Sequence, residues 1–149
     1  VSLPVRFNIR VYGLLINRKR ELLIVHESIN DFHFTKFPGG GMELGEGTID
    51  CLKREFREEL KLNVEVGEHF YTTDFYQPSA FKANDQLVSI YYFVHAEKEH
   101  DSFADHREES ESKVATMKFE WVPLDSLIKD MLTFPIDKIV CDQLLKSLN

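Results

Sequence analysis

The sequence predicts one α/β domain spanning residues 1–149, an α/β/α sandwich in which a mixed β-sheet packs between α-helices. Three observations carry that expectation. Short runs of β-branched and aromatic residues, bounded by polar turns, recur along the chain, as strands require. Residues Thr48 to Leu60 repeat apolar side chains at helical spacing, and Pro135 is well placed to open a second, closing helix that runs to Leu148. The order is strands, helix, strands, helix, with no repeat and no linker, and strands that do not strictly alternate with helices favour a mixed sheet. A chain of 149 residues can bury a core of its own as one domain.

Each element follows from local chemistry. Phe7–Ile16 and Glu21–Glu27 read as two strands joined by the polar turn Asn17–Arg20. Phe32–Phe37 alternates apolar and polar residues and stops at Pro38-Gly39-Gly40-Gly41, expected to be a loop whose backbone can approach a ligand closely. In the helix, Ile49, Leu52, Phe56 and Leu60 define the expected buried face, with Gly47 or Thr48 at its start. Val64–Phe75 and Leu87–Ala96 read as further strands, connected through Gln77-Pro78-Ser79 and residues 82–85. Between Glu97 and Lys113, ten of seventeen residues are charged, the composition of a mobile loop. Thr116–Val122 is the last strand expected, and Leu124–Met131 a short helix opened by Pro123.

Composition excludes several classes. Hydrophobic residues make up 43% and charged residues 29%, the balance of a globular protein. A formal net charge of −7 argues against nucleic-acid or anionic-membrane partners. Cys51 and Cys141 have no Cys-x-x-Cys spacing, and the six histidines show no zinc pattern, so a disulfide framework and a zinc centre are not expected. No apolar run is long enough to span a bilayer and no signal-peptide pattern opens the chain at Val1; a cytoplasmic location is the expectation. Oligomeric state stays open, a homodimer included.

One feature of the first helix needs a cause. Glu55, Glu58 and Glu59 are spaced i, i+3, i+4, which gathers three like charges on one side of a helix. A helical wheel places them beside the apolar stripe, at the edge of the core, where solvated charges are not usually found. A cation among them would remove the repulsion. Carboxylate oxygens without imidazole or thiolate favour hard ions, Mg²⁺ or Mn²⁺, and such ions are suited to bridging an anionic substrate.

The stretch Gly40–Leu62 resembles the Nudix box, G-x5-E-x7-R-E-U-x-E-E-x-G-U with U bulky and apolar. Gly40, Glu46, Arg54, Glu55, Phe56, Glu58, Glu59 and Leu62 fall on the pattern; the six fixed residues among them recur by chance in such a chain at roughly one in 10⁵. Lys61 stands where the family has its second glycine, which puts the turn after the helix in question. The resemblance implies a Mg²⁺-dependent (or Mn²⁺-dependent) pyrophosphohydrolase acting on a small nucleotide. It implies that Glu55, Glu58 and Glu59 are metal ligands and that Arg54 holds the carboxylates in place. Gly39 and Gly40 would let the backbone approach substrate, and Glu46 would serve the loop-helix geometry or an outer metal shell. The family often adds an acidic residue outside the box, for which Glu108, Glu109 and Glu111 are the loop candidates and Glu97 and Glu120 the more distant ones.

Substrate is less legible. A diphosphate bond in a nucleoside diphosphate linked to another group is the expected target. Pro78, sixteen residues beyond Leu62, is similar in offset to a proline of some ADP-ribose-hydrolysing members, and Tyr76 beside it offers an aromatic face. A MutT-like triphosphate pyrophosphatase and a non-catalytic nucleotide sensor on the same fold are the alternatives.

Overall fold

The structure is a computed structural model, and it describes residues 3–148. Strands β1 (Arg6–Leu15), β2 (Glu21–Ile29), β3 (Phe32–Lys36) and β4 (Gly39–Gly41) precede helix α1 (Thr48–Leu60). Then come β5 (Val64–Thr72), β6 (Asp85–Ala96), β7 (His106–Glu109), β8 (Val114–Pro123), a 3-10 turn (Lys129–Met131) and helix α2 (Pro135–Ser147). The expected mixed α/β fold with its strands between two helices is present, and the strand layer consists of two four-stranded sheets. One, ordered β4-β1-β6-β5, is mixed: β1 runs parallel to β6, and the other pairs are antiparallel. The second, β3-β2-β8-β7, is antiparallel throughout.

Both helices cover this double layer, and the alternation along the central strands shows how. On β1, Val11 and Leu15 pack with Cys51, Leu52 and Phe56 of α1, whereas Tyr12 and Leu14 pack with Ile136, Val140 and Leu144 of α2. On β2, Leu23 joins the first group and Leu22 and Ile24 the second. Side chains on a strand alternate between faces, so a strand buried on both sides must be apolar at nearly every position. That is why Val11–Ile16 and Leu22–Val25 are continuous runs without a charged residue.

Several expectations are corrected by packing. Gly39–Gly41 forms a short strand against Arg10–Tyr12, not a free loop. Ile49 is 47% exposed and Cys51 takes the buried place next to Leu52, because the helix turns its first residues toward solvent. The charged stretch after Glu97 contains β7, whose pairing with β8 supplies the hydrogen bonds that composition did not suggest. The expected helix Leu124–Met131 is reduced to turns and the 3-10 segment.

Helix α1 starts at Gly47, whose N–H donates to the Asp50 carboxylate at 3.0 Å, so one free terminal donor is satisfied. It ends at Lys61, which takes the left-handed conformation (φ 54°, ψ 36°). The Lys61 and Leu62 N–H groups donate to the Arg57 and Phe56 carbonyls, the pair of bonds that a glycine would close with less strain. Lysine therefore keeps the turn that glycine usually makes.

Candidate functional site

A cleft of about 380 Å³ lies on the face of the strands nearest α2. Alternate positions of the strands line it: Asn8, Arg10 and Tyr12 from β1, and Leu87, Ser89 and Tyr91 from β6. Glu27 of β2, Phe34 and Lys36 of β3, the three glycines of β4, and Glu55 and Glu59 of α1 complete its charged part. Phe34, Phe81 and Phe134 pack at tilted and edge-to-face angles into an aromatic wall, with ring centroids 5.2–5.8 Å apart.

The glycine strand and the glutamate helix are fitted to each other. A Cβ on Gly40 would lie 2.6 Å from the Glu55 carboxyl carbon, and one on Gly39 would lie 2.1 Å from the Val11 carbonyl oxygen. Gly39 also has φ +146°, which other residues adopt only with strain. Cys51 packs beneath, its thiol against the Gly40 and Gly41 carbonyls, and burial pushes that thiol up to about 12. It is a packing residue, not a nucleophile.

Arg54 organises the carboxylates. Its Nε and Nη2 donate to the two oxygens of Glu46 at 3.0 and 2.7 Å, a bidentate pair. Its Nη1 reaches Glu55 at 3.0 Å and Glu58 at 3.3 Å, and Nη2 also donates to the Gly41 carbonyl at 3.0 Å. The guanidinium beside Glu46 holds that carboxyl down at about 2. Glu46 also accepts the Glu43 N–H, so it ties the loop between β4 and α1 to the helix.

Burial first, and then the neighbouring Glu55 carboxylate, push Glu59 up to about 9. Glu58 lies outside the cleft lining, and its side chain is 58% exposed. The structure thus brings Glu55 and Glu59 together with Gly39 and Gly40 and leaves Glu58 at the outer rim, held by Arg54.

The remaining residues singled out by sequence fall as follows. Glu109 is exposed and pairs with Arg107, Glu111 is exposed in the turn after β7, and neither lines the cleft, whereas Glu108 does. Pro78 forms an isolated antiparallel bridge with Gln86, and Tyr76 is 55% exposed; neither lines the cleft, although Ser79, Phe81 and Lys82 just beyond them do. Arg10, Glu27, Lys36, the aromatic wall and Asp137 were missed. Charged residues inside apolar strand runs were the available signal for Arg10, Glu27 and Lys36. Asp137, on the first turn of α2, is buried and accepts a hydrogen bond from the Tyr91 hydroxyl; burial raises its carboxyl to about 6.

A model of the NUDIX domain matches residues 6–143. The chain belongs to the NUDIX family. Similar solved structures include a MutT protein from Methanosarcina mazei Go1, 20% identical, with TM-score 0.70 over 100% of this chain and 99% of that one. A NUDIX hydrolase from Nitrosomonas europaea is 14% identical, with TM-score 0.68 over 95% of this chain and 90% of that one. An ADP-ribose pyrophosphatase from Streptococcus suis 89-1591 is 16% identical, with TM-score 0.59 over 95% and 92%. At these identities the likeness is one of fold. No curated protein sequence matches. No helix among the described residues is long and apolar enough to cross a membrane.

Family members generally act on pyrophosphate bonds with a divalent metal. The donors here fit such an ion in kind: they are hard carboxylate oxygens, one of them a half-buried acid whose proton affinity burial raises. Among the described residues no group of three or more His, Cys, Asp or Glu forms a ready-made cage. Mg²⁺ does not require one, since it is commonly held by one or two carboxylates, waters and substrate phosphates.

Proposed function

We propose that this protein is a Mg²⁺- or Mn²⁺-dependent pyrophosphohydrolase that cleaves a diphosphate bond in a nucleoside diphosphate linked to a second group. The observation that carries the reading is the contact of Gly40 with Glu55 at the edge of a cleft whose wall is aromatic. A small nucleotide needs both features, a charged end for its phosphates and flat apolar rings for its base.

Glu55, Glu58 and Glu59 are the residues assigned to hold the metal. The bound ion supplies charge neutralisation of the diphosphate and a lowered pKa for a coordinated water. The chain's own residues do the rest. Arg54 sets the directions of Glu55 and Glu58, and Glu46 fixes Arg54. Gly39 and Gly40 line the cleft and are assigned to present backbone to the phosphates, while the space a Cβ would take is filled by Val11 and Glu55. Of the loop carboxylates, Glu108 is the one that faces the cleft and is assigned to accept the proton of the attacking water. Phe81, Phe34 and Phe134 offer their faces to the base.

ADP-ribose is the first substrate to test, in keeping with the pyrophosphatase of that name among the similar folds. Incubation with Mg²⁺ should give AMP and ribose 5-phosphate. A nucleoside triphosphate cleaved to monophosphate and pyrophosphate, with ADP-ribose untouched, would replace this substrate by the MutT-like one. Binding of nucleotides without any metal-dependent turnover would leave a sensor.

A further inference from the structure

Among the described residues, two of the cleft's cations, the ones that share the Tyr12 ring beside the glutamates, have no ion-pair partner. Lys36 is 4% exposed, and its ammonium donates one recorded hydrogen bond, to the Gly39 carbonyl at 3.0 Å. Arg10 donates from Nε to the Tyr12 hydroxyl at 2.7 Å. Both charges lie over the Tyr12 ring, at 5.7 and 5.8 Å from its centre. Among the described residues, no carboxylate oxygen comes within 4.0 Å of either.

A buried charge without a paired counter-ion is costly, and an ammonium has three donors to fill. Glu27, Glu59 and Asp137 are near enough to interact with Lys36 through space, so neutralising those carboxyls is the plainer role. That role would favour direct pairs, and none forms. Both side chains instead line the open cleft beside Glu55 and Glu59, with donors to spare.

We propose that Arg10 and Lys36 are the metal-independent half of a diphosphate-binding site. They take phosphoryl oxygens that a metal on the glutamates does not, so the substrate's diphosphate is held between a metal and two fixed cations. The inference rests on the phosphoanhydride reading of the cleft and deepens it by naming the residues that bind the second phosphoryl group. Guanidinium and ammonium groups suit this task because charge-assisted bonds to phosphate are short and strong.

The probe is methylenediphosphonate, which keeps the diphosphate shape and cannot be hydrolysed at its P–C–P bridge. It is titrated calorimetrically with saturating Mg²⁺ into the full chain and into Lys36→Met, Arg10→Met and a surface control, Lys146→Met. The cleft variants are expected to lose about tenfold or more in affinity, and the control is expected to match the wild type. Affinity within about twofold of wild type in both cleft variants overturns the proposal.

Should the cleft variants fail to fold, the wild-type protein supplies the answer. Methylenediphosphonate is expected to slow acetylation of Lys36 by acetic anhydride, mapped by mass spectrometry, and to leave Lys146 unaffected. An unchanged Lys36 rate overturns the proposal. Binding through these residues without turnover of any nucleotide would sink the hydrolase reading and leave this site standing; turnover with no contribution from either residue would do the reverse.

Discussion

Gly40 and Glu55 are in mutual contact across the site, so close that a single methyl group on the glycine would sit 2.6 Å from the glutamate's carboxyl carbon. Gly40→Ala must therefore displace the carboxylate from its bond with Arg54 or shift β4. We expect turnover to fall by about tenfold or more, with a stability loss of roughly 1–3 kcal/mol. Gly39→Ala is expected to act differently, because its clash is with the Val11 backbone at a positive φ and costs on the order of 3 kcal/mol in stability. Thermal melts and initial rates for the two variants separate these outcomes. Equal activity in wild type and Gly40→Ala would show that Glu55 does not need its present position.

The Glu59 carboxyl sits at about 9 in the metal-free fold against an ordinary 4.5. The folded protein therefore holds this proton more tightly than the unfolded chain does. That contribution to stability is fully present below about 4.5 and is lost as pH rises through about 9. Metal binding needs the carboxylate, so Mg²⁺ affinity is expected to rise with pH across the same window. Melting temperatures of metal-free wild type should fall more steeply from pH 5 to 9 than those of Glu59→Gln. Parallel curves would contradict the assignment.

Turnover itself should depend on both Glu58 and Glu59. Glu58→Gln and Glu59→Gln are each expected to lower it at least ~100-fold with the fold intact, since the charge stabilisation at a metal contributes several kcal/mol and each tenfold in rate is ~1.4 kcal/mol. Rates measured at saturating Mg²⁺ decide it. Near-wild-type turnover in both would remove them from the metal site, and loss confined to Glu59→Gln would confirm that the exposed Glu58 stays with Arg54.

Lys61→Gly relieves a left-handed residue and should raise stability by up to about 1 kcal/mol. Its ammonium does donate to the Glu58 carbonyl at 3.0 Å, an exposed bond of small value. Activity is expected within about threefold of wild type, because the residue shapes only the turn. A loss beyond tenfold would mean that the lysine reaches a phosphate.

Local signals made α1 and most strands legible. Leu52, Phe56 and Leu60 repeat at helical spacing and are buried as expected, and Pro135 opens α2. The box implies that Arg54 holds the carboxylates, and Arg54 donates to both Glu46 and Glu55. What sequence could not give was the assembly of distant strands into two sheets, since the parallel pairing of β1 with β6 joins residues about eighty positions apart. The cleft residues Arg10, Lys36 and Phe81 were hidden for a similar reason: they become neighbours only through the pairing of β1 with β4 and the loop after Pro78. Glu109 and Glu111 drew attention by composition, yet strand alternation in β7 turns Glu108, not Glu109, to the cleft.

The most direct measurement is product analysis of the purified chain with ADP-ribose and, separately, with a nucleoside triphosphate, each with Mg²⁺ and with chelator. The expected result is AMP plus ribose 5-phosphate from ADP-ribose, formed only with the metal and abolished in Glu59→Gln. Absence of metal-dependent cleavage of a phosphoanhydride bond in either substrate class and across a wider nucleotide panel would contradict the hydrolase assignment.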